Sequence, residues 1–114
     1  MYMNLNFNYH DATLETISLQ HTDLVLTIAL YSIFYPNMQH LQIKGSGITN
    51  SITCEKWVTK VVAAFQEENE ASLGARINDI YVDKNKLIIA VDSMKPVKLN
   101  FEYFKEILNP TTCS

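Results

Sequence analysis

At 114 residues the chain has room for one domain, and a chain of this size buries roughly 65% of its extended surface, enough for a single core. The 47% hydrophobic content excludes a disordered polymer, and the net charge of -3 argues against a nucleic-acid binder, which carries a basic stripe. No apolar run reaches the roughly 18 residues of a bilayer span, and the N-terminus lacks a charged-then-apolar signal pattern, so the expectation is a cytoplasmic protein with no membrane attachment.

Residues 1–9 alternate Leu5, Phe7 and Tyr9 with Asn4, Asn6 and Asn8, the period of a short edge strand, although asparagine is poor in strands. His10-Asp11-Ala12 reads as a tight turn. Thr13–Gln20 is a strand, with Leu14, Thr16 and Ser18 on one face and Glu15, Ile17 and Leu19 on the other. Gln20-His21-Thr22-Asp23 reverses the chain without glycine, which points to a type I turn. From Asp23 to Ile33 the aliphatic residues Leu24, Leu26, Ile28 and Leu30 share one face, and Pro36 lies beyond the strand's end. A third strand over Met38–Lys44, with Leu41 and Ile43 inward, completes an antiparallel meander that Gly45-Ser46-Gly47 terminates.

The period then changes. Cys54, Trp57, Val58, Val61, Val62 and Phe65 recur at spacings of three and four, which predicts a helix over about residues 53–68. Thr53 is its expected N-cap, with Ile52 stapled against Trp57, and its apolar stripe is expected to cover the Leu24–Leu30 face. Strands return at Arg76–Asp83, at Leu87–Val91 and at Val97–Phe101, with a polar reversal at Asp83-Lys84-Asn85-Lys86. In the first of these, alternation sets Ile80 and Val82 against Ile77, Asp79 and Tyr81. The continuous run LIIAV suits a strand covered on both faces. Phe104–Leu108 reads as a single helical turn stopped before Pro110. The expected fold is α+β: an antiparallel sheet of about six strands packed against one main helix, in a single domain over 1–114.

Chemistry is sparse in this pattern. His10-Asp11 places an imidazole beside an acid, but neighbours on an extended segment point apart, so the pair reads as a structural turn with Asp11 accepting backbone N–H bonds. His10, His21 and His40 show no close ligand spacing, so no metal and no other cofactor is expected. The two cysteines, Cys54 and Cys113, suit reduced thiols better than a disulfide framework. Gly45-Ser46-Gly47 lacks the pattern of a phosphate loop. Two groups suit a protein partner: the acidic Glu67, Glu68 and Glu70, which read otherwise as a solvated helix end, and Tyr31, Phe34 and Tyr35, which read otherwise as cover for the sheet.

The stretch YHDATLETISLQHTDLVLTIAL, residues 9–30, resembles the opening of small bacterial immunity proteins of polymorphic-toxin and contact-dependent growth inhibition systems. His10, Asp11 and Ala12 match their turn, Leu14, Ile17 and Leu19 the first strand, and Leu24, Leu26 and Ile28 the second. The resemblance covers roughly the first 30 residues. It implies a non-enzymatic protein, monomeric when free, that binds a cognate toxin domain inside the producing cell and occludes it. The toxins of such systems are in many cases nucleases with basic clefts, which an acidic surface with exposed tyrosines would complement. The other expectation is a small structural or adaptor subunit that pairs through a sheet edge. A third, a small hydrolase or isomerase using His10 or His40, would require a pocket holding one of those imidazoles.

Overall fold

Two three-strand meanders, each written in alternating apolar side chains, join into one open antiparallel sheet. The computed structural model describes residues 5–37, 40–65, 74–84 and 86–108. In chain order the elements are β1 (Thr13–Gln20), β2 (Asp23–Ala29), β3 (His40–Ser46), α1 (Ser51–Phe65), β4 (Ala75–Asp83), β5 (Lys86–Val91), β6 (Val97–Asn100) and β7 (Tyr103–Leu108). The strand order is β6-β5-β4-β1-β2-β3-β7. This is the expected α+β class, with seven strands among the described residues rather than six.

The additional strand is β7. Its residues carry a spacing that also fits a helical turn, yet they extend and pair with β3 from Leu41↔Leu108 to Ser46↔Tyr103. The third strand of the first meander would otherwise present its hydrogen-bonding groups to solvent, and filling that ladder outweighs a local propensity this short.

Both meanders depend on a β-bulge. Strict alternation would put Leu14 on the opposite face from Ile17 and Leu19, yet the pairs Leu14↔Ile28, Ile17↔Leu26 and Leu19↔Leu24 all face inward because Glu15 is an extra residue in β1. Asn78 does the same in β4, bringing Ile77 onto the face of Ile80 and Val82, opposite Val91, Ile89 and Leu87. A bulge adds one residue to one strand, shifts the phase of the pleat and increases the local twist. Both expectations of strict alternation therefore fail at one residue each. On β2, which has no bulge, Leu24, Leu26, Ile28 and Leu30 are all buried as expected. On β5 the consecutive burial of Leu87, Ile88 and Ile89 fits cover on both faces. The β1–β2 turn has φ 57° at His21, a left-handed first position that belongs to primed turns and not to type I.

The helix begins two residues before its expected start because Asn50, not Thr53, precedes its first turn, and the N–H of Cys54 donates to Asn50 O at 3.2 Å. Ile52 is 68% exposed, so no staple forms against Trp57. The Asn50 side chain serves β6 instead: Nδ2 donates to Lys98 O at 2.8 Å, and Oδ1 accepts from Asn100 N at 2.9 Å. With Thr49 N donating to Asn100 O at 2.8 Å, residues 49 and 50 occupy the outer edge of β6 as a further strand would. Cys54, Trp57 and Val61 turn inward, and the helix lies against β6 and β1 rather than centring on the Leu24–Leu30 row as expected. Burial pushes the Cys54 thiol up to about 11, so the thiol is protonated and unreactive at neutral pH.

The other half of the inner face is covered by the N-terminal segment. Leu5, Phe7 and Tyr9 alternate inward as the sequence predicts, but Leu5–Tyr9 is a strap and not an edge strand. Asn6 N donates to Glu106 Oε1 at 2.7 Å, the Tyr9 hydroxyl donates to Glu106 Oε2, and Asn8 N donates to the Tyr35 hydroxyl at 2.7 Å. At its far end Asp11 N reaches Ile77 O at 3.0 Å, and Ile77 N returns to Ala12 O at 2.8 Å. The strap thus runs from β7 to β4. Gly45 fits the same face for a steric reason, since a Cβ there would stand 2.6 Å from the Phe101 ring.

Replacing Asn50 by alanine removes both hydrogen bonds to β6 and is expected to cost about 1–3 kcal/mol. Urea unfolding should show a lower midpoint with an unchanged slope; an unaltered midpoint would mean that the amide does not hold this edge.

Candidate partner-binding surface

Chain reversal at the N-terminus brings together residues that an extended segment would separate. Asp11 has φ 61°, a conformation aspartate tolerates better than most residues, and Ala12 N donates to Tyr9 O at 3.0 Å to close the turn. The backbone N–H of His10 is taken by Asn8 Oδ1 at 2.9 Å, so Asn8 fills the role expected of Asp11. Asp11 instead faces Arg76: Oδ1 accepts from Nε at 2.9 Å and also from Nη2. That hydrogen bond, then the carboxylate charge, holds the exposed guanidinium above its ordinary pKa.

The His10 ring is 3.5 Å from Asp11 Oδ2 through Nε2, while its Nδ1 lies 3.0 Å from Asn78 O and must donate to that carbonyl. The two residues therefore do meet, contrary to the expectation that they point apart, because the left-handed Asp11 folds the chain back. Their partners, Arg76 and the carbonyl of the β4 bulge, lie across the junction of β1 and β4. The second bulge residue has a similar companion, with Glu15 Oε1 2.8 Å from His40 Nδ1. None of the described cavities has His10 or His40 among its lining residues. Among the described residues no group of three or more His, Cys, Asp or Glu is placed to hold a metal ion.

The aromatic group behaves differently from one residue to the next. After β2 ends at Ala29, a helical turn forms in which Phe34 N and Tyr35 N both reach Tyr31 O at 3.0 Å. Tyr35 turns inward, stacks edge-on to Phe7 at 5.8 Å, and accepts the Asn8 N–H described above. Tyr31 and Phe34 stay outside, 36% and 43% exposed, and pack edge-to-face on each other at 5.4 Å. Ile33 between them is 71% exposed, and sequence reasoning missed it by assigning it to the strand. The result is an apolar knob of Tyr31, Ile33 and Phe34, preordered by backbone hydrogen bonds, at the sheet end that also holds His10, Asp11 and Arg76. Glu67, Glu68 and Glu70 lie outside the described residues, as does Cys113. Tyr103 and Leu108 on β7 are further exposed apolar residues, 54% and 47% accessible.

Tyr9 ties the strap beneath this end, and its titration gives a handle on the tie. Burial first, then the hydrogen bond to Glu106 and its charge, raise the phenol far above its ordinary value near 10. A group whose folded pKa is raised contributes stability that is complete below the unfolded value and lost as pH rises above it. Stability should therefore fall steeply above about pH 10, and Tyr9→Phe, though less stable at neutral pH, should lose part of that alkaline dependence. Equal alkaline slopes for the two proteins in urea titrations would contradict the buried phenol. No family model, no curated protein and no solved structure matches the chain, so the resemblance of residues 9–30 rests on those residues alone.

Proposed function

We propose that the chain is an immunity protein that binds one cognate bacterial toxin domain and neutralises it by occlusion, without catalysing a reaction, in the cytoplasm of the producing cell. The observation that carries this reading is the Tyr31–Ile33–Phe34 knob. Large apolar side chains fixed in an exposed turn cost solvation in the free protein and are repaid when a partner covers them. Their neighbours Asp11, Arg76 and His10 supply the polar rim that surrounds such anchors in interfaces. The turn is preordered, so little conformational entropy is lost on docking. The N-terminal resemblance agrees with this reading, and the net charge of -3 suits a basic nuclease cleft. Among the described residues no helix is long and apolar enough to cross a membrane.

One observation favours a second reading, an adaptor that pairs through a sheet edge. Thr49 and Asn50 close the β6 edge, whereas β7 is an outer strand with exposed Tyr103 and Leu108. Light scattering separates the two, since a stable homo-oligomer supports edge pairing and a monomer supports capture of another protein.

The experiment for the first reading uses the protein encoded by the gene immediately upstream, since immunity genes typically follow their toxins. Tyr31→Ala and Phe34→Ala should each weaken the complex by about 2 kcal/mol, while Tyr81→Ala, on the outer face of β4, should leave it unchanged. Calorimetry provides the affinities and a growth assay the protection. If the wild-type chain neither binds the toxin domain nor relieves growth arrest, the proposal fails.

A further inference from the structure

A second surface has a different chemistry. Between α1 and the β5–β6 connection runs a groove of about 530 Å³, within the usual range for small-molecule sites. Trp57, Met94, Pro96 and Val97 form its apolar lining. Lys56 and Lys60 stand on the helix wall and Lys95 on the opposite one, and Thr53 and Ser93 add one hydroxyl to each wall. All three lysines are exposed, and none forms a salt bridge among the described residues. On a chain of net charge -3, this is a concentrated positive site over an apolar floor.

Two further features point the same way. Asn50 spends its side-chain amide on β6, so among the described residues no side chain caps the first-turn N–H groups of α1. The positive end of the helix is therefore left open next to Thr53. Trp57 is only 5% exposed, and its Nε1–H is buried without a hydrogen-bond partner among the described residues. With that polar atom inside the fold, what the indole offers the groove is apolar ring surface.

We propose that this groove binds a small amphipathic organic anion, with an aromatic or aliphatic body against Trp57, Pro96 and Val97 and a carboxylate, sulfonate or phosphate held by Lys56, Lys60 and Lys95. The site lies on the α1–β6 side of the sheet, away from the Tyr31 knob, and does not depend on the toxin-binding reading. Trp57 is the sole tryptophan, so the site carries its own reporter.

The probe is 1-anilinonaphthalene-8-sulfonate, titrated into the folded full-length chain while Trp57 emission is followed, with uncharged N-phenyl-1-naphthylamine in parallel. Saturable quenching of Trp57 by the sulfonate, weakened about ten-fold or more by combined Lys56→Gln, Lys60→Gln and Lys95→Gln and weakened by salt, supports the site. Near-UV circular dichroism confirms that the triple variant is folded. Binding of both probes with equal affinity, binding that the triple variant retains, or the absence of saturable Trp57 quenching overturns the proposal.

Discussion

The junction of β1 with β4 is the constraint on which the rest of the structure depends. Only Thr13↔Arg76 and Leu14↔Ala75 are in register there, whereas β1–β2 and β4–β5 pair along nearly their whole length. A two-pair ladder is a weak hinge by itself. It is reinforced by the backbone bonds of Asp11 and Ala12 to Ile77, by the Asp11–Arg76 ion pair and by the His10 ring on the Asn78 carbonyl. The ion pair is exposed and adds little energy. The larger contribution is the apolar core that continues across the junction, where Ala12, Leu14, Ala75 and Ile77 are all fully buried.

The bulges make that continuity possible. Each lies close to the junction, and each turns the strand so that residues before and after it face one core. The His10 and His40 imidazoles, which invite a catalytic or metal-binding reading, are both engaged with bulge residues. Their positions therefore have a structural account in this fold. The strap from Glu106 to Ile77 works toward the same end, linking β7, at the outer edge beyond the first meander, to β4, the innermost strand of the second.

Much of this was legible in the sequence. The Leu24–Leu30 ladder, the change of period at α1 and the doubly covered LIIAV strand follow from side-chain spacing alone. The bulges left a trace that strict alternation misreads: Leu14, Ile17 and Leu19 have the same offsets as Ile77, Ile80 and Val82, a three-residue step followed by a two-residue step. One extra residue converts that step into a single inward face. Strand β7 and the N-cap were not legible, because each was decided by a distant partner, the open ladder of β3 and the open edge of β6. Of the candidate interface, Tyr31 and Phe34 could be named from their place beside a proline turn. The inward rotation of Tyr35 required the strap, and the lysine-lined groove required Lys95 to meet α1 from another part of the chain.

If the junction transmits one core, the two meanders unfold together. Urea denaturation should be followed at once by Trp57 fluorescence, which reports on the α1–β6 half, and by NMR methyl signals of Leu26 and Ile43 in β2 and β3. Coincident midpoints and slopes are expected for both probes. Two separated transitions, with Trp57 released while the Leu26 and Ile43 signals stay native, would contradict it.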